Sequence, residues 1–149
     1  MEKNKPKFNP KKFKNVSVVI DSSVLLKVFL GEEGREYVKE LLRMSENNEL
    51  TLIAPSLIVF EFLNTVARKS SFDDAILAYK MFSGFKISII EPNGKYVCYA
   101  IGEVCTNPKI SYYDASYHAL AKDFDGVFLT ADKKYYELMK KEGDVELFE

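Results

Sequence analysis

The sequence predicts an α/β fold: a mainly parallel sheet of four to five strands with helices on both faces. Short runs rich in valine and isoleucine recur along the chain, at SVVI (17–20), LTLIA (50–54), KISIIE (86–91) and VFLT (127–130). Their continuous apolar character suits strands buried on both faces. Between them lie segments with helical spacing, long enough for the crossovers that parallel strands need.

The first strand, 17–20, leads directly into Asp21, and residues 23–30 and 35–46 then show helical periodicity. The second strand, 50–54, is followed by Pro55, which suits the start of a helix because its missing N–H is not needed there. That helix is expected to run to about Lys69. Ser71 and Asp74 form a Ser-x-x-Asp start signal for the next helix, ending near Gly84. The third strand, 86–91, is stopped by Pro92-Asn93-Gly94. A helix over 95–106 ends at Asn107-Pro108, and Ser111 with Asp114 opens another that ends near Asp125-Gly126. After the fourth strand, 127–130, residues 133–141 are helical and VELF (145–148) is a candidate fifth strand.

No internal repeat or linker divides the 149 residues, a length that fits one domain with a real core. No segment approaches the ~20 apolar residues of a membrane span, and the charged N-terminus leads into no secretory h-region. A cytoplasmic, non-membrane protein is expected. Cys98 and Cys105 fall two turns apart on one predicted helix, about 10 Å along its axis, too far to bridge each other. Free thiols in a reducing compartment follow.

Net charge is −1 but unevenly spread. Residues 1–15 hold six lysines and one glutamate, leaving −6 over the rest. With two prolines and no apolar period, 1–15 reads as a basic flexible arm, able to contact phosphates electrostatically, ahead of a domain at 16–149.

Glu61 poses the sharpest question, because Leu57, Ile58, Val59 and Phe60 precede it and Phe62 and Leu63 follow. A carboxylate among such neighbours faces water or a cation. In a parallel sheet every strand exits at the same edge, and the helices that follow begin there. Asp21 follows the first strand, and Asp132 lies just past the fourth. Asp114 opens the helix that carries the chain back to the fourth strand's start, and Glu61 lies about 9 Å past Pro55 along its helix. Four carboxylates therefore converge on one rim. Like charges this close oppose folding unless a cation joins them, and an oxygen-only ligand set suits Mg²⁺ or Mn²⁺ rather than zinc. Such a site hydrolyses phosphodiesters with a metal-activated water. Each aspartate is also a candidate helix cap, a role that leaves an oxygen free.

The segments VVIDSSVLL (18–26), PSLIVFEFLNTV (55–66), SYYDASYHALA (111–121) and VFLTADKK (127–134) resemble the PIN-domain family, specifically the VapC-type toxins of prokaryotic toxin–antitoxin pairs. The pieces occur in the family's order and cover the chain from about Ser17 to its end. The resemblance implies a three-layer PIN-like fold and Mg²⁺- or Mn²⁺-dependent endoribonuclease activity, with Asp21, Glu61, Asp114 and Asp132 as the acidic catalytic and metal-binding set. It gives supporting roles to the hydroxyls of Ser22 or Ser23 and Thr130. It further implies a homodimer and a small antitoxin whose arginine reaches the acids. The sequence departs from some relatives at Lys134, where they carry a further Asp or Asn, and the basic arm is not part of the family core.

Lys133 and Lys134 are candidate RNA phosphate contacts, against the plainer reading of solvated lysines. Tyr112 and Tyr113 flank Asp114 and are candidate base-stacking groups. His118, four residues past Asp114, shares its helical face; a packed histidine is the plainer reading than a ligand. Leu25, Leu26, Phe29, Tyr37 and Leu41 form an apolar face suited to the core or to a dimer contact. An aspartyl phosphatase needs an acid at position 23, which is serine, and a phospho-receiver needs an Asp after the third strand, which ends Glu91-Pro92. The reading from another class is a non-toxin RNA-binding or ribosome-maturation module that keeps the fold without catalysis.

Overall fold

The computed structural model describes residues 8–149. Its five strands, β1 (Ser17–Ile20), β2 (Thr51–Pro55), β3 (Ile87–Ile90), β4 (Val127–Thr130) and β5 (Val145–Leu147), form one sheet in the order β3-β2-β1-β4-β5. Every neighbouring pair is parallel, with Val19 of β1 opposite Ile53 of β2 on one side and Phe128 of β4 on the other. Val18, Val19 and Ile20 are all fully buried although successive side chains point to opposite faces, so both faces of β1 are covered.

The cover is seven helices: α1 (Ser22–Phe29), α2 (Arg35–Glu46), α3 (Leu57–Lys69), α4 (Phe72–Gly84), α5 (Gly94–Thr106), α6 (Tyr112–Asp123) and α7 (Lys133–Met139). The α6 helix packs across β2, β1 and β4, with α5 against it. Its Ala115, Ala119, Leu120 and Ala121 are fully buried, and the three small alanines let the helix lie close to the sheet. The Ser-x-x-Asp signals act as expected: Ser71 accepts from the Asp74 N–H at 3.2 Å, and Ser111 from the Asp114 N–H at 3.1 Å. Gly126 is required at the entry to β4, because a Cβ there would meet the Ser17 carbonyl oxygen at 2.3 Å.

Three expectations need correction. Pro55 ends β2 opposite Ile90 instead of opening the helix, which starts at Leu57. A proline is tolerated at a strand's end, where the Ser56 N–H continues the ladder to the Ile90 carbonyl at 2.9 Å. The helix expected over 133–141 ends at Met139 and tightens into a 3₁₀ turn at Lys140–Glu142. The arm expected to be flexible over 1–15 is ordered where it is described: Pro10–Phe13 form a 3₁₀ turn, and Phe8 and Phe13 are buried. The Phe8 ring lies 4.5 Å from that of Phe148, tying the two ends of the described chain together. Lys12 pairs with Glu146 beside them. The remaining part of that arm, 1–7, lies outside the described residues.

Leu25, Leu26 and Leu41 are buried, and Phe29 and Tyr37 pack against them, so this face belongs to the core. Cys98 and Cys105 are free and exposed. Among the described residues no helix is long and apolar enough to cross a membrane.

Candidate acidic site at the sheet's switch point

The strand order reverses between β1 and β4, and the crevice beyond their carboxyl ends is where open α/β sheets bind ligands. Asp21 follows β1 and Asp132 lies two residues past β4, so both stand at this point. Asp21 is buried at 9% exposure and caps α1. Its Oδ1 accepts from the Ser23 N–H at 3.1 Å and, at a longer 3.4 Å, from the Ser22 hydroxyl. Its Oδ2 accepts from the buried Thr130 hydroxyl at 2.6 Å. The same Thr130 oxygen accepts from the Asp132 N–H at 3.0 Å, so one side chain ties the first acid to the last. The Ser23 hydroxyl accepts from the Ala131 N–H at 3.3 Å, a second tie between these segments. Asp132 caps α7, its Oδ1 accepting from the Tyr135 N–H at 3.0 Å.

Glu61 and Asp114 enter from the helices. Asp114 is the third residue of α6 and Glu61 the fifth of α3. The buried flanks Ile58 and Phe62 fix the α3 face and leave Glu61 half-exposed. The Tyr117 hydroxyl donates to Glu61 Oε1 at 2.7 Å.

Burial is the main cause that pushes the carboxyls of Asp21, Glu61 and Asp114 above the usual range, and it is opposed by the hydrogen bonds from Thr130, Tyr117 and Ser111 respectively. Mutual repulsion adds to it. Asp21 repels Asp132, Glu61 repels Asp21 and Asp114, and Asp114 repels Asp21 and Asp132. The four acids expected from the sequence thus lie in one another's electrostatic field, Glu61 through Asp21 and Asp114 and the three aspartates through one another. Among the described residues no ion pair involves any of them, and no three are gathered at ligating distance. The donor set, four carboxylates with hydroxyls behind them, fits a hard divalent cation such as Mg²⁺ or Mn²⁺. A cleft of about 270 Å³ adjoins the acids, with Asp114, Asp132, Ser111 and Lys134 on its walls.

A family model described as PIN domain matches residues 18–141. The chain belongs to the PIN-domain family. Solved structures share the PIN fold at low identity. VapBC2 from Rickettsia felis, bound to a DNA fragment from its promoter, superposes with a TM-score of 0.66 at 16% identity, covering 88% of this chain and 96% of that one. A toxin–antitoxin complex from Klebsiella pneumoniae gives 0.66 at 14% identity, over 89% and 98%. Mycobacterium tuberculosis VapC20, described as a sarcin–ricin-loop-cleaving toxin, gives 0.62 at 12%, over 81% and 94%. No curated protein sequence matches significantly.

Other residues singled out in this PIN domain are resolved as follows. His118 is fully buried. Its Nε2 donates to the Gly143 carbonyl at 2.8 Å, leaving Nδ1 to accept from the Tyr135 hydroxyl at 2.8 Å. Burial lowers its pKa and keeps it neutral, so it is a packing histidine and not a ligand. Lys133 and Lys134 are exposed, and only Lys134 lines the cleft. Tyr112 and Tyr113 are exposed and share an apolar hollow of about 230 Å³ with Phe60 and Tyr96. Sequence reasoning missed Tyr117. Its signal was its position, three residues past Asp114 and hence on the same face of the helix.

Proposed function

We propose that the protein is a Mg²⁺- or Mn²⁺-dependent endoribonuclease of VapC type, acting in the cytoplasm on RNA phosphodiester bonds. The observation that carries this reading is the pair Asp21 and Asp132 at the sheet's switch point, tied through Thr130, with Asp114 on the same cleft as Asp132 and none of the acids paired with a cationic side chain among the described residues. A pure binder has no reason to keep such repulsion. The likeness of the fold to VapBC complexes, and to a VapC described as cutting the sarcin–ricin loop, supports the same reading.

Asp21, Asp114 and Asp132 are the residues that would hold the ion, with Glu61 as a further ligand or as the group that orients water across the cleft. Bound there, the ion supplies positive charge that acidifies a water and offsets charge on the leaving oxygen. The chain's own contribution is order. Thr130 and Ser23 fix the Asp21 carboxylate in one rotamer, and Thr130 sets the backbone of Asp132 against it. Lys134, on the cleft wall, meets a substrate phosphate. With water as nucleophile the products carry 5′-phosphate and 3′-hydroxyl ends. A homodimer and a small antitoxin that inserts an arginine among the acids complete the proposal, since a guanidinium matches paired carboxylates.

The test is incubation of structured RNA with purified protein and Mg²⁺ or Mn²⁺, beside Asp21→Asn and an EDTA control. Metal-dependent cutting lost in Asp21→Asn is expected. Equal cutting by both proteins would overturn the assignment, and RNA binding without cutting would point to a non-catalytic RNA-binding module.

A further inference from the structure

Tyr117 is a buried side chain of α6 whose hydroxyl reaches one of the acids, Glu61. Its ring is 1% exposed and stacks on Phe128 of β4, with centroids 5.6 Å apart and planes 20° apart. Phe128 in turn contacts the Tyr135 ring edge-on at 5.5 Å. The ring therefore has no freedom to swing, and the hydroxyl is presented at a fixed point. That point is Glu61 Oε1, at 2.7 Å, a short charge-assisted bond.

Glu61 needs such a partner more than Asp21 and Asp132 do. Asp21 and Asp132 are each held by a backbone N–H at the start of a helix, whereas Glu61 sits mid-helix on a long side chain. No other hydrogen bond to its carboxylate occurs among the described residues. Repulsion from Asp21 and Asp114 would otherwise drive it out toward solvent.

We propose that Tyr117 is a positioning residue: its hydroxyl holds one oxygen of Glu61 so that the other faces Asp21 and Asp114, pre-setting Glu61 as a ligand for the divalent ion. This rests on the metal-site reading above. Partners behind metal ligands typically change affinity by 10–100-fold when removed, and a single bond at one of four acids belongs at the lower end.

The experiment is calorimetric titration of Mn²⁺ into wild type, Tyr117→Phe, Glu61→Ala and the double variant, with melting curves for each. Tyr117→Phe keeps the stacked ring, so its folded state should persist. The expected result is Mn²⁺ binding about 10-fold weaker in Tyr117→Phe, with no further loss when the same change is made in Glu61→Ala. RNA cutting by Tyr117→Phe should return toward the wild-type rate at saturating Mn²⁺. Wild-type affinity in Tyr117→Phe, or an equal loss in both backgrounds, would overturn the proposal. A wild type that binds Mn²⁺ without cutting RNA would sink the nuclease assignment while the titrations still decide Tyr117. A wild type that binds no Mn²⁺ would overturn both.

Discussion

Replacing Thr130 with valine removes one oxygen and leaves a side chain of nearly the same shape. In the folded protein that oxygen donates to the buried Asp21 carboxylate at 2.6 Å and accepts from the Asp132 N–H at 3.0 Å. A hydrogen bond to a charged group contributes about 1.5–3 kcal/mol. The Asp132 N–H lies beside an exposed residue, so water can replace its partner and the second loss adds little. No cavity forms. The expected destabilisation near neutral pH is about 2 kcal/mol, or roughly 4–8 °C in melting temperature for a domain of this size. Thr130→Ser, which keeps the oxygen, should retain most of the stability. The penalty must also depend on pH. Burial raises the folded pKa of Asp21 above its ordinary value, so as pH falls the carboxyl takes up its proton earlier than a free aspartate does, and the charge-assisted part of the bond is lost with it. The gap between wild type and Thr130→Val should narrow from neutral to acidic pH. Melting curves at both pH values, in EDTA, check this. A drop under about 1 °C, or a drop that is the same at both pH values, would refute the claim that Thr130 secures a charged Asp21.

Other consequences are as direct. The raised carboxyls of Asp21, Glu61 and Asp114 bind more protons folded than unfolded, so their contribution to stability falls as pH rises from the ordinary carboxylate range through their raised values. His118 acts oppositely, because its depressed pKa makes stability rise as pH climbs to the usual histidine value. The difference in urea midpoint between metal-free wild type and Glu61→Gln isolates the acids, and Glu61→Gln should gain on wild type as pH rises. Phe13→Ala should cost about 3–5 kcal/mol by urea denaturation, since the ring is 2% exposed within the core; a loss under about 1 kcal/mol would return this segment to a dispensable arm. Lys134→Ala, measured in an Asp21→Asn background that cannot cut, should weaken RNA binding and flatten the log–log salt slope by about 0.7.

The sheet was legible because its signals are local and repeated. A Val/Ile run buried on both faces reads as a parallel strand wherever it occurs, and strands that exit together bring Asp21 and Asp132 together without any further information. Asp114 was placed by topology, because its helix returns the chain to the start of β4 and so must begin at the exit edge. What was not legible depends on contacts between distant residues. Phe8 and Phe13 sit in a lysine-rich, proline-containing stretch whose composition says arm, yet both are buried, Phe13 beside Phe8 and Phe8 against Tyr37 and Phe148, far along the chain. Pro55 reads equally as a strand end or a helix start, and the pairing with Ile90 decided it. His118 and Tyr117 are adjacent, and both pack against Phe128, but their polar ends reach different partners: one Gly143 and Tyr135, the other Glu61. Helical spacing from Asp114 gives both similar standing, and only the packing of α6 between the sheet and α5 separates them.

The most direct measurement is Mn²⁺ soaked into crystals and located by its anomalous scattering. A peak in contact with Asp21 and with at least one of Glu61, Asp114 and Asp132, the side chains having drawn in around it, is the predicted result. Density in which the four carboxylates stay apart at saturating Mn²⁺, or a peak bound only elsewhere, would contradict the account.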